Sequence, residues 1–197
     1  DVIKLGKSLR EVTLVELMPR LVPTEDAEIS QHLERSFRRQ GIKAITRASV
    51  ESIEVNDGVA KVTVKSESGT SEIECEKVLV AVGTQGNIDG IGLESAGVTS
   101  ERGFITVDDH METNVPGVYA IGDVTGRLLL AHVASAQGVT AVEHMAGLEP
   151  PVLDYELMPR ATYCKPQIGS FGLTEAQARE KGHDVKIGRF QLAANGK

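Results

Sequence analysis

Apolar and polar positions recur along this chain with two different periods, and the change of period divides it. Val12-Thr13-Leu14-Val15 is a short apolar run suited to a strand buried on both faces. Ile29, Leu33 and Phe37 recur at every fourth position, which predicts a helix with one buried stripe. Thr24 is placed to cap that helix, with Glu25, Asp26 and Glu28 in its first turn. Arg38 and Arg39 occupy its last turn, and Gly41 supplies the stop. These charges complement the helix dipole on a solvated face. Ile42 to Thr46 predicts the next strand, and the order strand, helix, strand implies a right-handed parallel crossover. Beyond Asn56-Asp57-Gly58, a hairpin signal, Ala60, Val62 and Val64 alternate with Lys61, Thr63 and Lys65. After a turn at Ser66 to Ser71, Ile73 and Cys75 alternate with acids, and Val78-Leu79-Val80-Ala81-Val82 becomes continuously apolar. This predicts a strand leaving an exposed antiparallel meander for a buried parallel sheet.

Residues 1–9 read as the tail of a helix, and residues 84–103 as a glycine-rich connection. Phe104 to Val107 and Val118 to Ile121 are predicted strands. A helix follows from Ala131 to Met145, with small residues (Ala131, Ala134, Gly138, Ala141) that let it lie close to a sheet. Pro150-Pro151 marks a boundary. Strands at Ala161 to Cys164, Ile168 to Leu173 and Val185 to Leu192 then surround a helix capped by Thr174 and running through Lys181. The fold class is α/β, in three parts: residues 1–84, 85–150 and 151–197.

Composition narrows the function classes. The 197 residues are 41% hydrophobic, ordinary for a globular protein, and carry a net charge of −7. That charge argues against nucleic acid, and no basic run suits an anionic membrane. No apolar stretch approaches the ~20 residues of a membrane span. The chain opens at Asp1 with no signal-peptide pattern, which suggests sequence upstream. Cys75 and Cys164 lie far apart in strand-like runs and read as small hydrophobes, in keeping with a reducing compartment. The five histidines show no ligand spacing, so no metal site is expected.

Two carboxylates stand out as candidate chemistry. Thr113-Asn114-Val115-Pro116-Gly117-Val118-Tyr119-Ala120-Ile121-Gly122-Asp123 puts a glycine and an aspartate at the end of an apolar run. A carboxylate there needs hydrogen-bond donors, and Gly122 lets a ligand approach the backbone. Gly-Asp alone also fits an ordinary turn. Glu16 ends the run Val12 to Val15, where an acid can accept hydrogen bonds from an adenosine ribose and repel a 2′-phosphate. It equally fits a solvated strand end.

The Thr-x4-four apolar-Gly-Asp run resembles the second flavin motif of the FAD-dependent disulfide oxidoreductases, whose aspartate accepts a hydrogen bond from the flavin's ribityl chain. Glu16-Leu17-Met18-Pro19-Arg20-Leu21-Val22-Pro23, followed by Glu25-Asp26, resembles the dihydrolipoamide dehydrogenases of that family. Val80-Ala81-Val82-Gly83 is similar to their return from nicotinamide to flavin domain. Leu129-Leu130-Ala131-His132 is similar to their Met-Leu-Ala-His run at a helix start. Tyr163-Cys164-Lys165-Pro166 and Phe171-Gly172-Leu173-Thr174-Glu175 resemble the opening of their interface domain.

The resemblance spans essentially the whole chain. It implies an incomplete Rossmann-like NAD domain with a meander (residues 1–84), the remainder of an FAD-binding domain (85–150) and the start of an α+β dimerisation domain (151–197). It implies Glu16, Val50 and Gly83 as NAD contacts, and Asp123, Leu129, Leu130, Ala131 and His132 as FAD contacts. Two departures stand out. Gly83-Thr84-Gln85-Gly86-Asn87 replaces the more usual Gly-Arg-x-Pro-Asn, and Val133 takes a position often held by lysine.

In that family a dithiol reduces a protein disulfide, and electrons pass through FAD to NAD. The C-x4-C redox pair, the glycine fingerprints and the catalytic histidine with its glutamate have no counterparts in these residues, so no catalytic residue is assigned. The chain reads as the middle of a longer enzyme, inactive by itself. The resemblance implies a parent that oxidises dihydrolipoamide carried on a lipoyl domain. Its implied setting is a homodimer docked to the acyltransferase core of a 2-oxoacid dehydrogenase complex or to the glycine cleavage system. The expected location is bacterial cytoplasm, or the mitochondrial matrix in a eukaryote. Sister flavoenzymes of the mercuric reductase, glutathione reductase or transhydrogenase type are the alternative, and a non-catalytic nucleotide-binding module a further one.

Overall fold

The computed structural model describes residues 11–192 and residue 195, so the predicted helix tail at residues 1–9 lies outside the described residues. By contacts the chain divides into two units, residues 1–78 with 161–197, and residues 79–160.

The first unit begins as predicted. β1 (Val12–Val15), α1 (Ala27–Arg39) and β2 (Ile42–Ile45) form a strand–helix–strand unit, with β1 and β2 parallel from Val12 opposite Ile42 to Val15 opposite Ile45. Leu33 and Phe37 of α1 are buried with Leu21, Ile42 and Ile168, and Val12 and Leu14 pack against them. Ile29 departs from the predicted stripe. It is exposed, and Ser30 is buried in its place, its hydroxyl donating to the Val22 carbonyl. The cap also moves. Asp26, not Thr24, occupies the N-cap position, and its carboxylate accepts the Glu175 N–H at 2.8 Å instead of capping its own helix. Gly41 stops the helix at φ +80°, as its lack of a Cβ allows.

The meander follows as β3 (Ala48–Asn56), β4 (Val59–Ser66) and β5 (Gly69–Cys75), all antiparallel. Asp57 and Gly58 turn the first hairpin at φ +51° and +81°, the left-handed pair that a two-residue turn between twisted strands demands. Alternation holds in β4: Ala60, Val62 and Val64 are buried, and Val15 and Ile45 of the parallel pair pack on the cluster of Ala48, Val62 and Val64. β8 (Arg160–Thr162) and β9 (Ile168–Ser170) form a small sheet. α4 (Glu175–Glu180) starts at Thr174 with both halves of a capping box in place. The predicted strand Val185 to Leu192 is absent. That stretch is irregular, Phe190 and Leu192 are exposed, and Arg189 pairs with Glu28 at 2.9 Å.

The second unit holds α2 (Leu93–Ala96), the short antiparallel pair β6 (Ser100–Glu101) and β7 (Phe104–Ile105), a 3-10 turn at Gly122–Thr125 and α3 (Ala131–Met145). Its core joins Val98, Ile105, Val107, Met111 and Ala141. Two predicted strands are not formed. Val78 to Val82 is irregular, with Leu79 and Val82 about nine-tenths exposed, and Val118 to Ile121 contributes only the bridge between Glu112 and Tyr119. The reason is the same for both. A strand is defined by a neighbour that takes its backbone hydrogen bonds, and no described strand lies beside either run. Among the described residues no helix is long and apolar enough to cross a membrane.

Candidate functional site

The run ending in Asp123 is aimed by a tight turn. Asn114 Oδ1 accepts the Thr99 N–H at 2.8 Å while its Nδ2 donates to the Gly97 carbonyl at 2.8 Å, so one amide pins two passes of the chain. Thr113 Oγ1 accepts the Val115 N–H, and Glu112 Oε1 accepts the Gly117 N–H at 2.7 Å. These bonds explain the Thr-Asn-x-Pro-Gly spelling: Thr113 satisfies a backbone group of the turn, and Asn114 ties the turn to Gly97 and Thr99. The chain then passes along α3. A Cβ on Gly122 would stand 3.4 Å from the Ala134 Cβ, and one on Gly138 3.4 Å from Ile121 Cδ1. The small-residue stripe of α3 therefore accommodates the segment that delivers Gly122 and Asp123.

At the end of that segment Gly122 is left-handed at φ +77° and begins the 3-10 turn. Thr125 is buried and closes the turn by donating to the Gly122 carbonyl at 2.8 Å. Asp123 is exposed, and among the described residues its carboxylate holds no hydrogen bond or ion pair. Leu129 and Leu130 are half-buried, whereas Ala131 and His132 are exposed in the first turn of α3. Leu130 is the N-cap and offers no side-chain acceptor, so the first N–H groups of α3 have no cap from it. An unpaired carboxylate, a backbone without Cβ and an uncapped helix start thus belong to one unit. They suit a ligand that brings both a hydroxyl donor and an acceptor.

The second candidate site lies in the first unit. Glu16 follows β1 directly; its N–H bonds the Ile45 carbonyl at 2.9 Å and its carbonyl accepts the Ala48 N–H at 3.1 Å. The parallel pair and the meander, two separate sheets, thus meet beside Glu16. Its Oε1 accepts the Met18 N–H at 2.7 Å, and among the described residues no ion pair holds the carboxylate. One oxygen is fixed by the backbone and the other is left to accept from a ligand. Val50 lies on β3, half-exposed, opposite Val64 and next to an irregularity in register between Val50 and Ser52. Gly83 belongs to the second unit and is left-handed at φ +133° with nothing within 4 Å of a Cβ position.

Cys164 lacks the surroundings of a redox nucleophile. Cys75 and Cys164 are both free thiols. Burial pushes the Cys164 thiol above its ordinary value, and its Sγ donates to the Pro166 carbonyl at 2.9 Å. Among the described residues no group of three or more His, Cys, Asp or Glu could hold a metal.

Residues 2–138 match the family described as pyridine nucleotide-disulphide oxidoreductase. The chain belongs to the pyridine nucleotide-disulphide oxidoreductases. Residues 158–197 match that family's dimerisation domain. It is 50% identical over 190 residues to the dihydrolipoyl dehydrogenase of Mycobacterium leprae, covering 95% of this chain and 40% of that protein. It is 46% identical to the one from Chlorobaculum tepidum, covering 98% and 41%. The chain thus spans about two-fifths of the length of the curated relatives it matches. Among solved structures it resembles LpdA from Mycobacterium tuberculosis, with a TM-score of 0.78, 30% identity, and 88% and 38% of the two chains covered. The HOCl-induced flavoprotein disulfide reductase RclA from Escherichia coli gives 0.80, 28%, 94% and 42%.

One residue beside Gly122 belongs to no motif singled out in the sequence. Gln137 is fully buried in α3 and its Oε1 accepts the Gly122 N–H at 2.6 Å. The signal was present: a large amide among Ala134, Ala136, Gly138 and Ala141 must find partners inside the protein.

Proposed function

We propose that this chain is part of a flavoprotein that oxidises dihydrolipoamide to lipoamide and reduces NAD. The observation that carries the reading is the 50% identity, across nearly the whole chain, to a dihydrolipoyl dehydrogenase. Residues 1–84 serve NAD binding, residues 85–150 FAD binding and residues 151–197 dimerisation. Asp123 accepts a hydroxyl of the flavin's ribityl chain, with Leu129, Leu130, Ala131 and His132 presenting the start of α3 to the cofactor. The exposed Asp123 carboxylate, without a bonding partner among the described residues, and the helix start left uncapped by Leu130 support this assignment. Glu16 accepts the adenosine ribose hydroxyls of NAD, flanked by Val50, with Gly83 offering an unobstructed backbone. FAD, when bound, supplies the redox chemistry between dithiol and nicotinamide. The residues of this chain bind and orient; Cys75 and Cys164 take no part in electron transfer.

The parent acts as a homodimer on lipoamide carried by a lipoyl domain, docked to the acyltransferase core of a 2-oxoacid dehydrogenase complex or to the glycine cleavage system. Its place is the bacterial cytoplasm. The test is an assay of the full-length protein with dihydrolipoamide. NAD reduction with NADP a poor substitute is expected. NADP-dependent reduction of glutathione disulfide, with no turnover of dihydrolipoamide, would contradict the proposal and select a sister enzyme.

A further inference from the structure

We propose that Gln137 and Tyr155 are positioning residues that set the backbone of Gly122 and Asp123 for the flavin. The proposal rests on the flavin reading above. A fully buried amide must be satisfied at both ends, and Gln137 is. Its Oε1 accepts the Gly122 N–H at 2.6 Å, and its Nε2 donates to the Tyr155 hydroxyl oxygen at 3.1 Å. The Tyr155 hydroxyl in turn donates toward Met111 Sδ at 4.0 Å, a weak acceptor in the core. Every donor and acceptor in this relay has one consistent assignment.

Tyr155 also reaches the far end of the same stretch. The Arg127 guanidinium lies over its ring, 5.9 Å from the centroid. Arg127 donates to the Val107 carbonyl at 2.7 Å and pairs with Asp109 at 3.6 Å. Arg127 stands between Asp123 and the start of α3 in the chain. One tyrosine therefore braces the Gly-Asp end through Gln137 and the approach to Leu129–His132 through Arg127. Tyr155 lies after Pro150-Pro151 and just before the residues matched to the dimerisation domain, so the relay ties the flavin loop to that connection.

The test uses the full-length holoenzyme and three variants, Gln137→Leu, Gln137→Glu and Tyr155→Phe, read by FAD dissociation and by the thermal midpoint of the apoprotein. Leucine keeps the bulk and loses the acceptor. Glutamate keeps the acceptor for Gly122 and lets Tyr155 donate to its second oxygen, while a buried carboxylate lowers stability. Q137L is expected to weaken FAD about tenfold, the scale of one buried hydrogen bond, and Q137E to stay within about threefold of wild type despite its lower midpoint. Y155F should fall between them. FAD held by Q137L as tightly as by wild type, or affinity that simply follows the thermal midpoint across the series, would overturn the positioning role while leaving the flavin reading intact. A wild-type protein that takes up no FAD would overturn both.

Discussion

At the scale of single residues, two carboxylates and one thiol separate the account from its rivals. Glu16 has one oxygen fixed on the Met18 N–H, which aims the other without neutralising its charge. Glu16→Ala is expected to raise KM for NAD by about ten- to a hundredfold, the scale of a lost charged hydrogen bond, and to narrow the preference over NADP. Steady-state kinetics with both nucleotides check this; an unchanged ratio contradicts the ribose assignment. The Cys164 thiol is raised above its usual 9.0 because burial penalises the thiolate. The folded state thus holds that proton more tightly than the unfolded state. Its contribution to stability is present below the usual thiol range and is lost as pH rises through the folded value. Alkylation of Cys164 should be slower than that of a free thiol at pH 8 and accelerate only at higher pH.

At the scale of elements, local chemistry and the parallel β1–β2 crossover were legible, and the other long-range pairings were not. The hairpin at Asp57-Gly58, the stop at Gly41 and the cap at Thr174 each rest on residues close in sequence, and each forms as read; the structure adds Gln177 as the second half of a capping box. Val78 to Val82 and Val118 to Ile121 needed a strand beside them, which no local pattern supplies, and neither is a strand. The cap predicted at Thr24 is not formed: Asp26 holds the N-cap position, and its carboxylate bonds the Glu175 N–H, far away in the chain. At the site, Gly122 and Asp123 were legible from their motif, whereas Gln137 becomes visible only once α3 lies against them. Gly58→Ala is expected to cost about 1 kcal/mol, because it puts a Cβ at φ +81°. Thr174→Ala should cost about 1 kcal/mol through its lost cap. Chemical denaturation measures both, and a neutral result at either position removes the local explanation for its element.

At the scale of the whole molecule, the account treats these residues as cofactor-binding machinery whose redox chemistry needs groups other than Cys75 and Cys164. The double variant Cys75→Ser/Cys164→Ser in the full-length protein should therefore retain dihydrolipoamide oxidation to within about twofold, since neither thiolate is the nucleophile. The most direct test of the central claim is the affinity of the full-length protein for FAD, followed by its visible absorption, in wild type and in Asp123→Ala. The account predicts a yellow wild-type protein and an affinity about tenfold or more weaker in the variant, with the apoprotein equally folded. A colourless wild type, or a variant that binds FAD as tightly as wild type, would contradict it.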